Sequence, residues 1–155
     1  MLPCLPAWRA LTRVMVTPAI AGACLGCQPQ PAPSPEVLVP GTDYAFEVPK
    51  ELPAGLTRFR FENRGKVPHE MALGQLKAGV TADSLLAFAA AGHDPGELAD
   101  GIVGILIAEP GTSALGTLSA ELAPGRTYMM ICNFRDADSL PPHMVMGMRA
   151  SFVAR

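Results

Sequence analysis

The stretch from Thr57 to Asn63 alternates two kinds of residue with a period of two. Its odd positions are Thr, Phe, Phe and Asn, whereas the positions between them are Arg, Arg and Glu. Because successive side chains of a strand point to opposite faces, this pattern predicts a β-strand with one buried and one solvated face. The chain is therefore expected to build a sheet that covers a hydrophobic core on one side.

The composition also favours strands joined by turns. Pro (16) and Gly (15) are frequent, and charged residues make up only 17 % of the 155 residues, which is more typical of a sheet-and-turn protein than of a helical one. The run from Gly101 to Ala108 is apolar throughout and fits either a buried strand or a packed loop. Further strands are predicted within 43–48, 67–73, 116–122, 126–134 and 148–153.

One helix is predicted between these strands. Thr81 can cap a helix of about ten residues whose first turn carries Asp83 and which ends at Gly92. His93 follows in a loop and is expected to be exposed. Six to eight short strands, one inserted helix and no repeat unit predict an all-β protein, an antiparallel β-sandwich with Greek-key connections.

Residues 1–27 have the features of an export signal. Arg9 and Arg13 precede an apolar run, Val14 to Ala23, that is too short to span a bilayer. Cys24 and Cys27 follow, and either one resembles the cysteine of a bacterial lipoprotein signal that carries the lipid after cleavage. Simple secretion with cleavage nearby is the alternative.

Residues 28–40 (QPQPAPSPEVLVP) are rich in proline, which favours an extended tether. We therefore expect a folded domain at 41–155, held by a lipid anchor on the periplasmic or cell-surface side of a bacterial membrane. The formal net charge of −2 argues against a nucleic-acid partner, which would require clustered Lys and Arg.

Cys132 is the one cysteine predicted to lie in the folded domain, because Cys4, Cys24 and Cys27 belong to the signal or its cleavage site. Taken alone, a cysteine at the end of an apolar strand is often simply a buried small hydrophobic residue. A lone thiol in an oxidising compartment is nevertheless expected to be either buried or coordinated.

Three further residues offer soft or borderline metal ligands. His143 and Met148 follow Cys132, and His69 lies near the start of an earlier extended segment, where Pro68 restricts the backbone. Two imidazoles, one thiolate and one weakly bound thioether form the ligand set of an electron-transfer copper centre.

The order of these residues resembles the cupredoxin family over Asp43 to Arg155. Residues 63–69 (NRGKVPH) are similar to the Asn, Gly and Pro-His strand end that supplies the family's first histidine, and four residues separate His143 from Met148, as in the family. The resemblance implies a cupredoxin-like Greek-key β-sandwich that binds one mononuclear copper ion for one-electron transfer. Its ligands would be His69, Cys132, His143 and an axial Met148.

Two features differ from the family pattern. Ten residues separate Cys132 from His143, far more than in most small members, and Glu70 follows His69 where Asn is common. In the family, that Asn ties the two ligand segments together by hydrogen bonds. The loop 133–142 is expected to fold over the site.

In the family, the edge of the second histidine is the usual port for electrons. An apolar ring around His143 would suit brief docking of a redox partner protein. The residues expected to form this ring are Leu140, Pro141, Pro142, Met144, Val145 and Met146.

Two other functions remain open. Met144, Met146 and Met148 occupy alternate positions and would share one face of a strand, where thioethers could serve an exported Cu(I) carrier or copper-homeostasis protein, or simply fill the core. A copper-free interaction module on the same scaffold is the third hypothesis. An enzyme with a small-molecule substrate is not expected, because beyond the two proposed ligands only His93 remains and no nucleophile is paired with a base.

Overall fold

A computed structural model describes residues 34–155, which form nine strands, two α-helices and one 3₁₀ helix. The predicted signal and its Cys24 and Cys27 lie outside this part of the chain. None of the helices within it is both long and apolar enough to cross a membrane. The elements are β1 (Glu36–Thr42), β2 (Ala45–Phe46), β3 (Glu51–Leu52), β4 (Gly55–Asn63), β5 (His69–Leu76), α1 (Ala82–Ala90), the 3₁₀ helix (Pro95–Leu98), β6 (Ala99–Ala108), β7 (Leu118–Leu122), β8 (Thr127–Ile131), α2 (His143–Met146) and β9 (Arg149–Ala154).

The strands form two sheets, with orders β2-β1-β4-β7 and β3-β9-β8-β5-β6. Two pairings are parallel, β1 with β4 and β3 with β9, whereas the remaining pairings between these strands are antiparallel. The predicted β-sandwich is therefore confirmed, with one parallel pairing in each sheet. The helix was expected before the strands that carry the predicted ligands, but it follows β5, which begins at His69, and precedes β8.

The alternation that opens the sequence argument is reproduced in β4. Phe59 and Phe61 are buried between the sheets, while Arg58 and Arg60 are exposed. Phe59 packs against Phe152 of β9 with ring centroids 5.9 Å apart. The two sheets thus share one core, and burial of aromatic side chains of this size is a major source of its stability.

Tyr128 of β8 is a buried aromatic residue with a satisfied hydroxyl group. Its ring stacks on Phe152 at 5.3 Å. Its hydroxyl accepts a hydrogen bond from the backbone N–H of Ala123 and donates one to Gln75 Oε1, each at 2.8 Å. A buried tyrosine needs such partners, because an unpaired hydroxyl in the core would be destabilising.

The predicted helix is confirmed as α1. The Thr81 hydroxyl accepts from Ser84 N at 3.1 Å, and Thr81 N donates to Ser84 Oγ at 3.0 Å, so cap and third residue stabilise each other. Leu85 packs the helix against Leu76 of the five-stranded sheet. His93 is exposed, as expected.

Two details differ from the sequence predictions. The end of the predicted tether, from Glu36 to Pro40, belongs to β1, because this short apolar step pairs in register with Arg58 to Glu62 of β4. The apolar run from Gly101 to Ala108 is neither fully buried nor a loop. It lies in β6 at the edge of a sheet, where Ile105 and Ile107 remain exposed.

Replacing Leu73 by alanine tests the position of this core. Leu73 of β5 is 0 % exposed, so Leu73→Ala is expected to lower the free energy of unfolding by about 2–5 kcal/mol. Leu56→Ala is the matched control, because Leu56 is 49 % exposed and such a surface change stays within about 0.5 kcal/mol. Urea denaturation measures both; equal losses would contradict this description of the core.

Candidate metal centre

Three of the four predicted ligands converge at one end of the sandwich. The Nδ1 atoms of His69 and His143 lie 3.1 Å apart, and Cys132 Sγ lies 3.9 Å from the first and 3.5 Å from the second. All three side chains are buried. The residues that sequence reasoning selected far apart in the chain therefore form a single cluster.

The sheet brings the first two ligands together. His69 is the first residue of β5, and Cys132 directly follows β8. The two strands are antiparallel neighbours in which Ala72 pairs with Ile131. The beginning of β5 and the end of β8 therefore meet at the same end of the sheet.

Asn63 shapes the turn that precedes His69. Its buried side-chain amide donates to the carbonyl groups of Val67 and Ala108 at 2.9 and 3.0 Å, and its Oδ1 accepts from Gly65 N at 2.8 Å. A buried amide with all these bonds made is rigid. The turn therefore delivers His69 in a defined direction.

Glu70 joins the segments of the first two ligands. Its backbone N–H donates to Cys132 Sγ at 3.4 Å, and its buried carboxylate accepts from Asn133 N at 2.9 Å. Glutamate thus makes the tie that the resemblance assigns to asparagine at this position. The departure from the family pattern keeps the connection between the two segments.

The ten-residue loop between Cys132 and His143 is closed at its base by backbone hydrogen bonds. His143 N donates to Phe134 O, and Met144 N donates to Cys132 O, each at 2.8 Å. These bonds return the chain to the end of β8 whatever the length of the excursion. The loop therefore does not displace His143 from the cluster.

His143 begins the one-turn helix α2, so the methionines after it do not alternate on a strand. Met144 is buried and Met146 is exposed, which corrects the expectation that both share a face with Met148. Gly147 ends the helix with a φ of 125°, and a Cβ there would lie 3.1 Å from Tyr44 O. Glycine is therefore required both by the backbone conformation and by this close approach.

Met148, the fourth predicted ligand, is fully buried. Its backbone N–H donates to His143 O at 2.9 Å and its carbonyl accepts from Cys132 N at 3.2 Å. Its methyl group lies close to Gly41, on the neighbouring edge of the core. The backbone around Met148 is thus tied to the segments of two predicted ligands.

Two carboxylates contact the outer edges of the imidazoles. His69 Nε2 lies 3.1 Å from Asp43 Oδ1, and His143 Nε2 lies 3.0 Å from Asp136 Oδ1. The Tyr44 hydroxyl donates to the other oxygen of Asp136 at 2.5 Å. The expectation that the loop folds over the site is thus fulfilled by Asp136.

These contacts determine the imidazole tautomers. Burial alone would raise the pKa of Asp43, but hydrogen bonds from Lys66 N and His69 outweigh it and leave that pKa below its usual value. The Tyr44 hydroxyl, aided by His143, likewise lowers the pKa of Asp136. Ionised carboxylates only accept hydrogen bonds, so each Nε2 carries a hydrogen, and in a neutral ring Nδ1 is then the atom with the free lone pair.

The donor set fits a first-row transition metal ion. Bonds of about 2.0 Å to nitrogen and 2.3 Å to sulfur, as for zinc, place trigonal or tetrahedral ligands roughly 3.3–3.7 Å apart. The three observed separations of 3.1, 3.5 and 3.9 Å bracket this range. Two opposed nitrogen lone pairs and a thiol are therefore placed to bind one cation between them.

Burial shifts two of the predicted ligands toward their neutral forms. Burial raises the pKa of the Cys132 thiol, although the backbone amides of Glu70 and Phe134 oppose this. Burial also lowers the pKa of His69, against the hydrogen bond to Asp43. A cation would displace the thiol proton, because the thiolate is the ligand form.

His143 is not an exposed port. It is only 1 % exposed, since Asp136 and Tyr44 cover its outer edge, and the Tyr44 ring lies 5.0 Å from it in an edge-on arrangement. Of the expected apolar ring, Met144 is also buried. Leu140, Val145 and Met146 remain exposed.

Sequence reasoning missed Asp43 and Tyr44 as parts of the site. The parallel pairing of β1 with β4 places Gly41 opposite Asn63, and Asp43 then meets the turn at Gly65. No local motif marks this contact, which joins residues 26 positions apart. Asp136 lies in the loop 133–142 that was expected to fold over the site, but the sequence did not indicate its contact with His143.

Comparison with solved structures supports the fold. Auracyanin B superposes with a TM-score of 0.53 at 19 % identity, covering 81 % of this chain and 92 % of that protein. Reduced auracyanin from Roseiflexus castenholzii gives 0.50 at 22 % identity, covering 80 % and 99 %. Auracyanin A, a blue copper protein from Chloroflexus aurantiacus, gives 0.46 at 25 % identity, covering 77 % and 98 %. No protein-family model and no curated protein matches the sequence.

The predicted cupredoxin-like β-sandwich is thus confirmed as the fold of this chain.

Adding a methyl group at Gly65 tests the packing behind His69. An ideal Cβ there would lie 2.2 Å from Asp43 Oδ1 and 2.9 Å from His69 Nε2, so Gly65→Ala is expected to separate this pair and to destabilise the protein by about 1–3 kcal/mol. In the control, Gly74→Ala, the new methyl group would make an ordinary contact of 3.4 Å. Urea denaturation and the NMR shifts of the His69 ring measure the effect, and an undisturbed ring in Gly65→Ala would contradict it.

The stability of the metal-free protein should fall on acidification. The folded-state pKa of His69 lies below its ordinary value of 6.5, so the unfolded chain takes up this proton first. The contribution of His69 to stability is therefore fully present above about pH 6.5 and is lost as the pH falls toward the lower folded-state pKa. Urea midpoints between about pH 7 and pH 5 measure this loss, which should shrink in His69→Gln and persist in His93→Gln.

Proposed function

We propose that this protein is an exported electron carrier that binds one copper ion through His69, Cys132 and His143. The observation that carries the proposal is the convergence of two imidazole Nδ1 atoms and one thiol sulfur, separated by 3.1 to 3.9 Å, in a buried cluster. Two imidazoles and a thiolate are the trigonal set of electron-transfer copper sites. The auracyanin-like fold and the resemblance of the ligand order to cupredoxins support the same function.

The frame around the cluster suits electron transfer. The segments that carry the ligands are held by Asn63, by Glu70 and by the backbone bonds at the base of the loop. Bound copper would supply one-electron exchange between Cu(I) and Cu(II). Ligands that are fixed by the protein move little during such an exchange, which keeps the reorganisation energy of electron transfer small.

We assign Met148 as the weak axial ligand within this proposal. Support comes from its complete burial and from its backbone hydrogen bonds to His143 and Cys132. A thioether is a weakly bound axial donor that stabilises Cu(II) less than a stronger ligand would, but more than an apolar side chain does.

The alternative of a Cu(I) carrier loses its main support. It depended on Met144, Met146 and Met148 sharing one face, whereas the first two belong to a helix and differ in burial. The protein would then act by carrying electrons rather than metal, and an enzymatic role forms no part of the proposal.

The proposal also includes where the protein is held and which kind of partner it meets. A lipid at Cys24 or Cys27 would hold the domain on the outer side of a bacterial membrane. The exposed side chains of Leu140, Val145 and Met146 offer an apolar surface beside the centre for brief contact with a redox protein.

Copper titration tests the ligand set. Cu(II) is expected to turn the metal-free protein blue or green through thiolate-to-copper charge transfer, and Cys132→Ser should abolish the colour. Met148→Leu should retain colour and raise the reduction potential, because an apolar group replaces the thioether. Met146→Leu is the matched control and should change neither property, because Met146 is exposed.

Other results would select another function. A colourless protein whose Cys132 reacts freely with thiol reagents would refute the electron carrier. Tight Cu(I) binding that survives Cys132→Ser but is lost on changing Met146 and Met148 would identify a copper carrier. Failure to bind copper of either valence would leave the interaction module.

A further inference from the structure

Each imidazole of the cluster has a carboxylate within hydrogen-bond distance of its outer nitrogen, Nε2. We propose that Asp43 and Asp136 are positioning residues that keep both rings as Nδ1 donors and lower the reduction potential of the copper centre, and that Tyr44 moderates this effect through its hydrogen bond to Asp136. We name these three residues the carboxylate clamp. The inference rests on the proposed copper function and adds what controls its potential.

The geometry of the clamp is repeated on both rings. Asp43 Oδ1 lies 3.1 Å from His69 Nε2, and Asp136 Oδ1 lies 3.0 Å from His143 Nε2. The Asp43 and Asp136 side chains are only 29 % and 26 % exposed, so solvent screens their charges less than it would on an open surface. Each ring thus has a negative charge at its outer edge.

The surrounding chain holds the carboxylates in place. Asp43 Oδ1 also accepts from Lys66 N at 2.8 Å, and Gly65 leaves no room for a side chain between Asp43 and His69. Asp136 is held by the Tyr44 hydroxyl at 2.5 Å. These contacts fix both carboxylates against the rings.

Tyr44, which contacts Asp136, has a strained backbone conformation. Its φ of 84° is the one positive value at a non-glycine residue within 34–155, and such conformations persist where the surrounding structure holds them and cluster at functional sites. Its ring contacts both imidazoles, with centroids 5.0 Å from His143 and 6.3 Å from His69. The strain therefore occurs at the residue that covers the cluster.

The clamp has a definite chemical effect on the ligands. A carboxylate that accepts from Nε2–H fixes the tautomer and makes the opposite nitrogen more basic, as for histidine ligands of other metals. A more basic ligand and a nearby negative charge both favour Cu(II) over Cu(I). Asp43 and Asp136 therefore lower the reduction potential.

Tyr44 must act in the opposite direction. Its hydrogen bond draws charge from Asp136, which weakens the pull of this carboxylate on the His143 hydrogen. Loss of the hydroxyl group in Tyr44→Phe strengthens that pull. The clamp thus predicts opposite signs for two neighbouring substitutions.

The potential is measured in three isosteric variants. Asp43→Asn and Asp136→Asn are each expected to reduce the preference for Cu(II) over Cu(I) about tenfold, which raises a one-electron potential by about 59 mV. Tyr44→Phe should lower the potential. In the Asp136→Asn background, Tyr44→Phe should have no effect, because Tyr44 acts through that carboxylate.

Asp138→Asn is the matched control. Asp138 lies in the same loop, is exposed, and makes no side-chain hydrogen bond among the described residues, so its substitution should leave the potential unchanged. An equal rise in Asp138→Asn and Asp136→Asn would overturn the proposal, because the effect would then reflect only the net charge. A rise in Tyr44→Phe would overturn it as well.

A metal-free measurement separates this inference from the copper function. Imidazole NMR of the unloaded protein should place the ring hydrogens of His69 and His143 on Nε2, with the His143 signal shifted in Asp136→Asn and unshifted in Asp138→Asn. Hydrogens on Nδ1 in the parent protein would overturn the clamp even if copper binds. Failure to bind copper with hydrogens on Nε2 would instead refute only the proposed function.

Discussion

The site depends on two imidazole Nδ1 atoms that face each other across 3.1 Å. His69 and His143 present their Nδ1 atoms to one point because their Nε2 hydrogens are donated to Asp43 and Asp136. Such opposed acceptors do not attract one another, so the arrangement must be imposed by the protein around them. The free energy that holds these atoms close together comes from the packing of the core and from hydrogen bonds outside the cluster.

Both sheets contribute to the arrangement that holds the two imidazoles in place. The five-stranded sheet brings His69 and Cys132 to one end, whereas the four-stranded sheet contributes the parallel pairing of β1 with β4 that carries Asp43 to the same place. The cluster is therefore assembled between layers that share the aromatic core. A loss of packing between the sheets would separate the ligands from the carboxylates that orient them.

Much of this was predictable from local patterns. The alternation of Thr57 to Asn63 correctly predicted which face of β4 is buried, and residue type and order selected three side chains that the fold brings together. The sequence did not predict the role of Asp43 or Tyr44, because a contact across a parallel strand pair leaves no periodic signal. It also placed Met144 and Met146 on a strand, since alternation alone does not detect a single helical turn that glycine ends.

The long loop after Cys132 supplies the carboxylate of Asp136 that contacts the outer edge of His143. A short loop would have no residue free to return to the outer edge of His143, whereas ten intervening residues allow Asp136 to do so while backbone bonds still hold the ring in place. The same excursion buries the edge that is the usual port in cupredoxins. In the proposed function, Asp136 and Tyr44 would therefore both adjust the donor strength of His143 and cover the edge through which an electron would pass to a partner. The proposal thus assigns the control of the potential and the control of partner access to the same contacts.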